Sequence, residues 1–333
     1  MKRFLSVSSA IMLTMLSIGV KAQESALGVD QMRDAYYKVF QGKKLIFISI
    51  LQATDLGQGW FQGMKDALEP LGMTVEVRDS NLSTSAGAQA FAQAIAEKPA
   101  VIVAWNPDLT AYARLIQQAE AQGIYVISVN QRSNVAADGY IGPDWVKVGE
   151  IEAESAIERC KGNSGKVAIV QGQATSASNA LAMSGINDVL QANPKIQVVS
   201  NQAADWDANK AKGITTTVLK AHPDLCAVIG SWEGMDVGIA AAVREANLNG
   251  KVAVITSGSS SQQSACNQVK GGTWDEYISY NLPIQEVQLN TVITALMSSG
   301  VKPAGFSSIS YSVLTRINKS NVDQPNTCWA ARQ

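Results

Sequence analysis

The sequence predicts an α/β protein made of two similar lobes joined by a hinge, each a doubly wound parallel sheet with helices on both faces. Short β-rich runs alternate with longer segments of helical periodicity along nearly the whole chain. The alternation comes as two runs of four strands, which favours two lobes over one large sheet. Apolar strands in repeated βα units are covered by helices on both faces.

The chain begins with the pattern of an export signal. A short positive region precedes a largely apolar stretch that ends with Val20-Lys21-Ala22. Small residues occupy the two positions that a signal peptidase recognises. We predict a signal peptide over residues 1–22 and an N-terminal extension over 23–43. The alternative, a retained membrane anchor, is disfavoured because the apolar core is short and interrupted by serines.

The first half is predicted to hold four strands and three helices. An amphipathic stretch comes before them, in which one helical face carries Met32, Tyr36, Val39 and Phe40. The strands are expected over residues 45–50, 74–79, 100–105 and 125–129, and the helices over 60–71, 86–97 and 109–122. Gly72 and Gly123 follow two of these helices and are suitable C-terminal stops.

The second half repeats the pattern after a crossing expected around residues 142–146. Its strands are predicted over 166–170, 197–202, 226–230 and 252–256, and its helices over 178–191, 209–221 and 235–246. The chain then closes with a strand over 274–280, a helix over 283–299 and short strands over 306–309 and 313–317.

Composition excludes several classes of partner. The chain is 46% hydrophobic and 17% charged, with a net charge of −1 and no run of basic residues. Nucleic acid and anionic membrane surfaces are therefore not expected as partners, and a DNA-binding regulator is disfavoured. A zinc site is not expected either, because the chain has one histidine and no C-x-x-C motif, and we expect no other metal and no cofactor.

Four cysteines in an exported chain favour two disulfides, for which three pairings exist. We favour Cys160 with Cys226, because this pair joins a helix end to a strand start at the base of the second lobe, and Cys266 with Cys328. Free buried thiols are the alternative.

Motifs for enzymatic chemistry are incomplete. The run from Gly57 to Gly63 resembles a dinucleotide fingerprint, but its third glycine is one place late and two aromatic residues would crowd a pyrophosphate. The run 230–234 has tryptophan where a nucleophile elbow needs serine, and His222 lies in a turn sequence. A glycosidase pair of carboxylates stays open, since Asp55, Asp205, Asp207 and Glu233 lie near the expected cleft.

Ligands of open parallel sheets bind beyond the carboxyl ends of the strands, and these positions are rich in amides and aromatic residues here. Aromatic faces pack on the C–H faces of a sugar ring, while amides both donate to and accept from hydroxyls. We therefore expect a small neutral sugar or sugar alcohol. The candidate binding residues are Gln58, Trp60, Phe61, Asn106, Asn130, Gln131, Asn179, Trp206, Trp232, Gly258 and Asn281. For each tryptophan the alternative is a role in the core.

The chain resembles the ribose- and galactose-type periplasmic binding proteins that serve ABC sugar importers, over residues of about 44–314. The resemblance lies in the order and spacing of Trp60-Phe-Gln-Gly-Met-Lys-Asp66, Ile102-Val-Ala-Trp-Asn-Pro-Asp108, Val126-Ile-Ser-Val-Asn130, Asp205-Trp-Asp207 and Ala221-His-Pro-Asp224. It implies a type I clamshell with three crossings, one lobe over 44–144 and 283–309 and the other over 145–282 and 310–333.

The same resemblance implies a monomeric periplasmic receptor that catalyses nothing and delivers its sugar to permease subunits in the inner membrane. A chemotaxis or signalling receptor with the same fold is the alternative, and an exported carbohydrate-active enzyme a more distant one. In the family, two aromatic residues enclose the sugar ring, and they correspond to Trp60 or Phe61 and to Trp206. Amide residues of the family's binding site correspond to Asn106 and Asn281.

Charged positions of ribose-type receptors are neutral here. Ribose-type receptors carry an Asp-Arg pair after the fourth strand, where this chain has Asn130-Gln131. They also carry an Arg in the first loop of the second lobe and an Asp after the fourth strand of that lobe, where this chain has Asn179 and Gly258. Charge-assisted hydrogen bonds are roughly twice as strong as neutral ones, so another pentose, a hexose or a linear polyol is favoured over ribose. Arg132 or Glu233 could restore a charge.

Overall fold

The computed structural model describes residues 29–259, 262–325 and 327–329, so the predicted signal peptide lies outside the described residues. The described part of the first unit, which ends at Val39, is a single helix, α1 (Val29–Lys38). Met32 and Tyr36 of its predicted apolar face are exposed. The rest of the chain forms a second unit that contains both sheets.

The first half of this second unit alternates strands and helices, as predicted. Its elements are β1 (Lys44–Ser49), α2 (Asp55–Leu68), β2 (Thr74–Asp79), α3 (Thr84–Glu97), β3 (Val101–Ala104), α4 (Ala113–Ala121), β4 (Tyr125–Val129) and β5 (Gly139–Gly142). The sequence analysis did not predict β5, whose four residues include two glycines and form no β-rich run.

The second half continues the alternation. Its elements are α5 (Trp145–Cys160), β6 (Lys166–Gln171), α6 (Ala177–Gln191), β7 (Gln197–Ala203), α7 (Ala208–Ala221), β8 (Ala227–Gly230), α8 (Glu233–Glu245), β9 (Ala253–Gly258), α9 (Asn267–Lys270), β10 (Glu276–Ser279), α10 (Leu282–Ser299), β11 (Ser308–Tyr311) and β12 (Thr315–Asn318).

Two six-stranded sheets result, with the orders β11-β5-β4-β3-β1-β2 and β12-β10-β9-β8-β6-β7. Among the described strands, only the β12–β10 pairing is antiparallel. Alternate residues of β6 point to opposite faces, so Val167 and Ile169 join one apolar cluster while Ala168 and Val170 join another. Burial of both faces confirms the predicted class of two doubly wound parallel-sheet lobes.

The chain passes between the two sheets three times. It leaves the first sheet after Gly142, returns between Ser279 and Leu282 to place α10 against α2, and crosses again between Tyr311 and Thr315. The last predicted lobe boundary, between residues 309 and 310, falls inside β11 of the first sheet.

Two disulfides join distant parts of the second lobe. Cys160 at the end of α5 pairs with Cys226 before β8, and Cys266 pairs with Cys328, which is the favoured pairing. They span 66 and 62 residues of sequence. Closing a loop of that length lowers the entropy of the unfolded chain, so each disulfide stabilises the folded state by about 4 kcal/mol.

Among the described helices, none is both long and apolar enough to cross a membrane.

Candidate functional site

A cavity of about 250 Å³ lies where the carboxyl ends of the strands of both sheets meet. This volume is below the roughly 300–1,000 Å³ of sites for drug-sized molecules, so it suits a smaller ligand. Each lining residue follows a strand or begins the next helix. They are Ile50, Leu51, Thr54, Leu56, Leu82, Thr84, Trp105, Pro107, Asn130 and Gln131 from the first half, and Trp145, Gln173, Ser178, Asp205, Trp206, Ser231, Trp232 and Tyr280 from the second.

Aromatic rings form much of the cavity wall. Trp206 and Trp232, both predicted as binding residues, meet edge to face with ring centroids 6.4 Å apart. Trp145 and Tyr280 form a second edge-to-face pair at 4.9 Å. Trp105 contributes a fifth ring. Trp145 was not among the predicted residues, because it follows a crossing between the sheets and not a recognised strand end.

Trp206 is held in an unusual backbone conformation. Both Asp205 and Trp206 have positive φ angles, 54° and 64°. The indole packs on the backbone of Gly172, where an added Cβ would lie 2.1 Å from the ring carbon Cη2. Non-glycine residues in this region cost of order 1–3 kcal/mol and cluster at ligand-binding sites. The loop therefore orients Trp206 against the cavity at the expense of backbone strain.

The amides after β3 and β4 leave acceptor oxygens unused. Asn106 Nδ2 donates to Ser128 Oγ at 3.1 Å and to the Gln131 carbonyl oxygen at 3.0 Å. The side-chain oxygens of Asn106, Asn130 and Gln131 are buried without a hydrogen-bond partner among the described residues. Asn130 and Gln131 line the cavity, so a ligand hydroxyl can satisfy them.

The predicted residues Gln58, Trp60 and Phe61 lie in α2 and do not line the cavity. The helix begins at Asp55, five residues before its predicted start, because Thr54 Oγ1 caps it by accepting from Gly57 N at 3.1 Å. Gln58 is exposed and Phe61 half-buried, whereas Trp60 is fully buried in the core.

The glycines of the apparent nucleotide-binding motif also lie in α2, where they permit close helix packing. An added Cβ at Gly59 would lie 2.5 Å from Leu282 Cδ2, and one at Gly63 would lie 3.2 Å from Glu286 Cβ. Their absent side chains therefore let α10 approach α2. The glycine spacing reflects contact between two helices.

Three predicted residues of the second lobe sit behind the cavity lining. Asn179 Oδ1 accepts from Gly172 N at 2.9 Å and its Nδ2 donates to Gln171 Oε1 at 2.9 Å, which closes the loop after β6. Asn281 has a positive φ of 56° just before α10, while its neighbour Tyr280 lines the cavity.

Gly258 is the third of these residues, and its missing side chain makes room for a carboxylate. An added Cβ would lie 2.1 Å from Glu233 Oε2, so the Glu233 side chain occupies this space. Glu233 Oε1 accepts from Ser259 N at 3.1 Å. The carboxyl group at the end of β9 thus comes from α8.

Two further carboxyls lie buried in the second lobe near this point. Burial raises the pKa of Glu152 to about 8, although a hydrogen bond with Ser257 opposes the shift. Burial also raises the pKa of Asp236 well above its usual value, against the effect of the 2.6 Å hydrogen bond from Thr256 Oγ1. Tyr280 Oη donates to Ser257 Oγ at 2.7 Å, which links Glu152 to the cavity wall.

Stability is therefore expected to fall as the pH rises from 5 to 8. The folded pKa of Glu152, about 8, exceeds the ordinary value of 4.5, so the folded state holds a proton that the unfolded state has lost. The stabilising contribution is complete below pH 4.5 and disappears as the pH passes 8. Each such proton contributes a slope of at most about 1.4 kcal/mol per pH unit.

Urea unfolding at pH 5, 6, 7 and 8 measures this slope. Glu152→Gln keeps the shape of the protonated acid and should flatten the slope. The remaining part comes from the other carboxyls with raised pKa values, which are Asp236, Asp138 and Glu120. Glu154→Gln, an exposed position on the same helix, is the matched control. An unchanged slope in Glu152→Gln would contradict the assignment.

Comparisons with known proteins agree with this architecture. The family described as "Periplasmic binding protein domain" matches residues 47–300. The D-allose-binding periplasmic protein of Escherichia coli (strain K12) is 29% identical over 148 residues, which cover 42% of this chain and 48% of that protein. The ribose import binding protein RbsB of Bacillus subtilis (strain 168) is 26% identical over 215 residues, 63% and 68% of the two chains. The match thus spans about half the length of the first relative.

Solved structures share the fold over most of their length. A solute-binding protein from Agrobacterium radiobacter in complex with D-arabinose superposes with a TM-score of 0.77 at 20% identity, covering 86% of this chain and 97% of that one. Another from Agrobacterium vitis, bound with α-D-tagatopyranose, gives a TM-score of 0.76 at 23% identity, covering 87% and 99%.

Proposed function

The chain belongs to the periplasmic binding protein family, and from this premise we propose that it is an exported receptor for a small neutral sugar or sugar alcohol. It would capture this ligand in the cavity between the lobes and deliver it to the permease of an ABC importer. The two relatives named above are, according to their names, binding proteins for D-allose and for ribose. The signal peptide predicted over residues 1–22 supports export to the periplasm.

The observation that carries the proposal is the combination of aromatic walls with unpartnered amide oxygens. Rings such as Trp206 and Trp232 offer flat apolar faces that suit the C–H faces of a sugar. The oxygens of Asn130 and Gln131 need donors, which hydroxyls supply. Asp205 is the one charged residue in the described lining, and Lys210 Nζ lies 3.1 Å from its carboxylate. A neutral polyhydroxylated ligand fits this set.

Binding would act through closure of the two lobes. Both contribute to the cavity, and three short segments of the described chain connect their sheets. A ligand that contacts both halves stabilises the closed arrangement, because its differential affinity for the closed state shifts the equilibrium. The closed surface would then be the form that a permease recognises. In this scheme no bond of the ligand is broken.

A ligand screen tests the proposal. The mature chain, residues 23–333, is unfolded without reductant to keep both disulfides, refolded free of carried ligand, and heated with pentoses, hexoses and their alditols. A ligand at 100 times its dissociation constant adds about 2.7 kcal/mol of stability, which raises the melting temperature visibly. We expect one or two neutral compounds to do so and to be recovered unchanged. No shift across the panel, or conversion of the compound, would overturn the proposal.

A further inference from the structure

The two halves line the cavity with different chemistry. Aliphatic side chains in the described lining come from the first half alone. Four of them follow β1 and β2 and form what we call the apolar wall: Ile50, Leu51, Leu56 and Leu82. The second half contributes aromatic rings, small hydroxyl groups, an amide and Asp205. Part of the ligand surface therefore faces groups that cannot hydrogen-bond.

Leu82 is presented to the cavity by a fixed loop. Its φ is 65°, a conformation that leucine rarely adopts, and 58% of its surface is exposed. The conformation is held because Leu82 N donates to the Ile50 carbonyl oxygen at 2.7 Å. Asp79 Oδ1 also accepts from Gln52 N at 3.2 Å and Asn81 N at 3.1 Å, which ties the loops after β1 and β2 together.

The hydroxyl groups near the apolar wall offer little to a ligand. Thr54 Oγ1 already donates to the Leu51 carbonyl oxygen at 2.9 Å and accepts from Gly57 N at 3.1 Å. Thr84 is exposed at the start of α3, so water can solvate it. A ligand hydroxyl held against the buried Leu56 would lose its water without a replacement partner.

The acceptor oxygens lie on the other side of the same sheet edge. Asn130 and Gln131 follow β4, which is separated from β1 by β3 in the strand order. Neighbouring strands are about 4.8 Å apart, so the amide end lies roughly 10 Å from the part of the apolar wall that follows β1, with Trp105 after β3 between them. A single sugar ring can reach both.

We propose that the cavity selects a deoxy sugar, a monosaccharide that gives its hydroxyls to the amide end and a methyl or methylene carbon to the apolar wall. The inference rests on the proposed function, since it specifies which sugar the same cavity takes. An additional hydroxyl on that carbon would be buried without a partner, so the fully hydroxylated parent binds about tenfold more weakly or worse.

Matched sugar pairs that differ by one hydroxyl test the inference. The probes are L-rhamnose with L-mannose, L-fucose with L-galactose, D-fucose with D-galactose, and 2-deoxy-D-ribose with D-ribose, each titrated calorimetrically into the refolded mature chain. We expect at least one deoxy sugar to bind about tenfold tighter than its parent. If every parent that binds does so at least as tightly as its deoxy partner, or if only alditols bind, the inference is overturned while the proposed function stands. If no sugar or alditol binds, both are overturned.

A substitution in the apolar wall tests whether this wall sets the preference. Leu82→Asn places an amide at an exposed position, and asparagine tolerates the positive φ of this residue, so folding is not endangered. The preference for the deoxy sugar should fall below about threefold, mainly because the parent binds better. Val237→Asn on α8, which is 44% exposed and outside the cavity lining, is the control and should keep the wild-type ratio. A tenfold preference that survives Leu82→Asn would overturn the assignment to this wall.

Discussion

Replacing Trp206 with alanine is expected to weaken ligand binding about a hundredfold with only a small loss of stability. The indole is half-buried and forms a cavity wall with Trp232, so its removal opens one face of the proposed ring-binding site. Truncation of a central aromatic anchor typically costs 2 kcal/mol or more of binding free energy, and about 2.7 kcal/mol corresponds to a hundredfold. Calorimetric titration with the compound found in the ligand screen measures the effect.

Two variants separate a binding role from a general effect of tryptophan removal. Trp206→Phe keeps an aromatic face and should retain most of the affinity. Trp329→Ala removes another half-buried indole, which lies outside the cavity lining, and should leave the affinity unchanged. If Trp206→Ala binds as well as the wild type, Trp206 does not enclose the ligand.

Replacing Trp60 with alanine is expected to lower the free energy of unfolding by about 3–5 kcal/mol, the usual cost of truncating a large buried aromatic residue. Trp60 is fully buried and meets Phe47 and Trp105 edge to face, with ring centroids 6.3 Å and 5.3 Å away. Urea unfolding followed by circular dichroism measures the loss. Binding should weaken less than in Trp206→Ala, because Trp60 supports Trp105 from behind the cavity.

The neighbouring residue in the same helix provides a matched control. Phe61 is half-buried, and its ring lies 5.7 Å from Lys65 Nζ. Phe61→Ala should therefore cost only about 1 kcal/mol. Equal losses in the two variants would show that Trp60 does not anchor the first lobe.

The sequence by itself determined the architecture. Strand and helix periodicity is a local property, so β2 and β4 are found at their predicted bounds, and α6 and α7 begin one residue early. The favoured pairing of Cys160 with Cys226 also followed from element positions along the chain. Residues directly after strands are placed at one sheet edge by the parallel topology alone, which is why Asn130, Gln131, Trp206 and Trp232 all line the cavity.

Only the tertiary structure decided which face each side chain presents. The start of α2 depends on its Thr54 cap, and a five-residue shift turns Trp60 from the expected cleft into the core. The space at Gly258 is filled by Glu233 from another element, and Trp145 reaches the cavity through a crossing between sheets. Such contacts join residues far apart in sequence, and their geometry is set by close packing of whole helices and strands rather than by local periodicity.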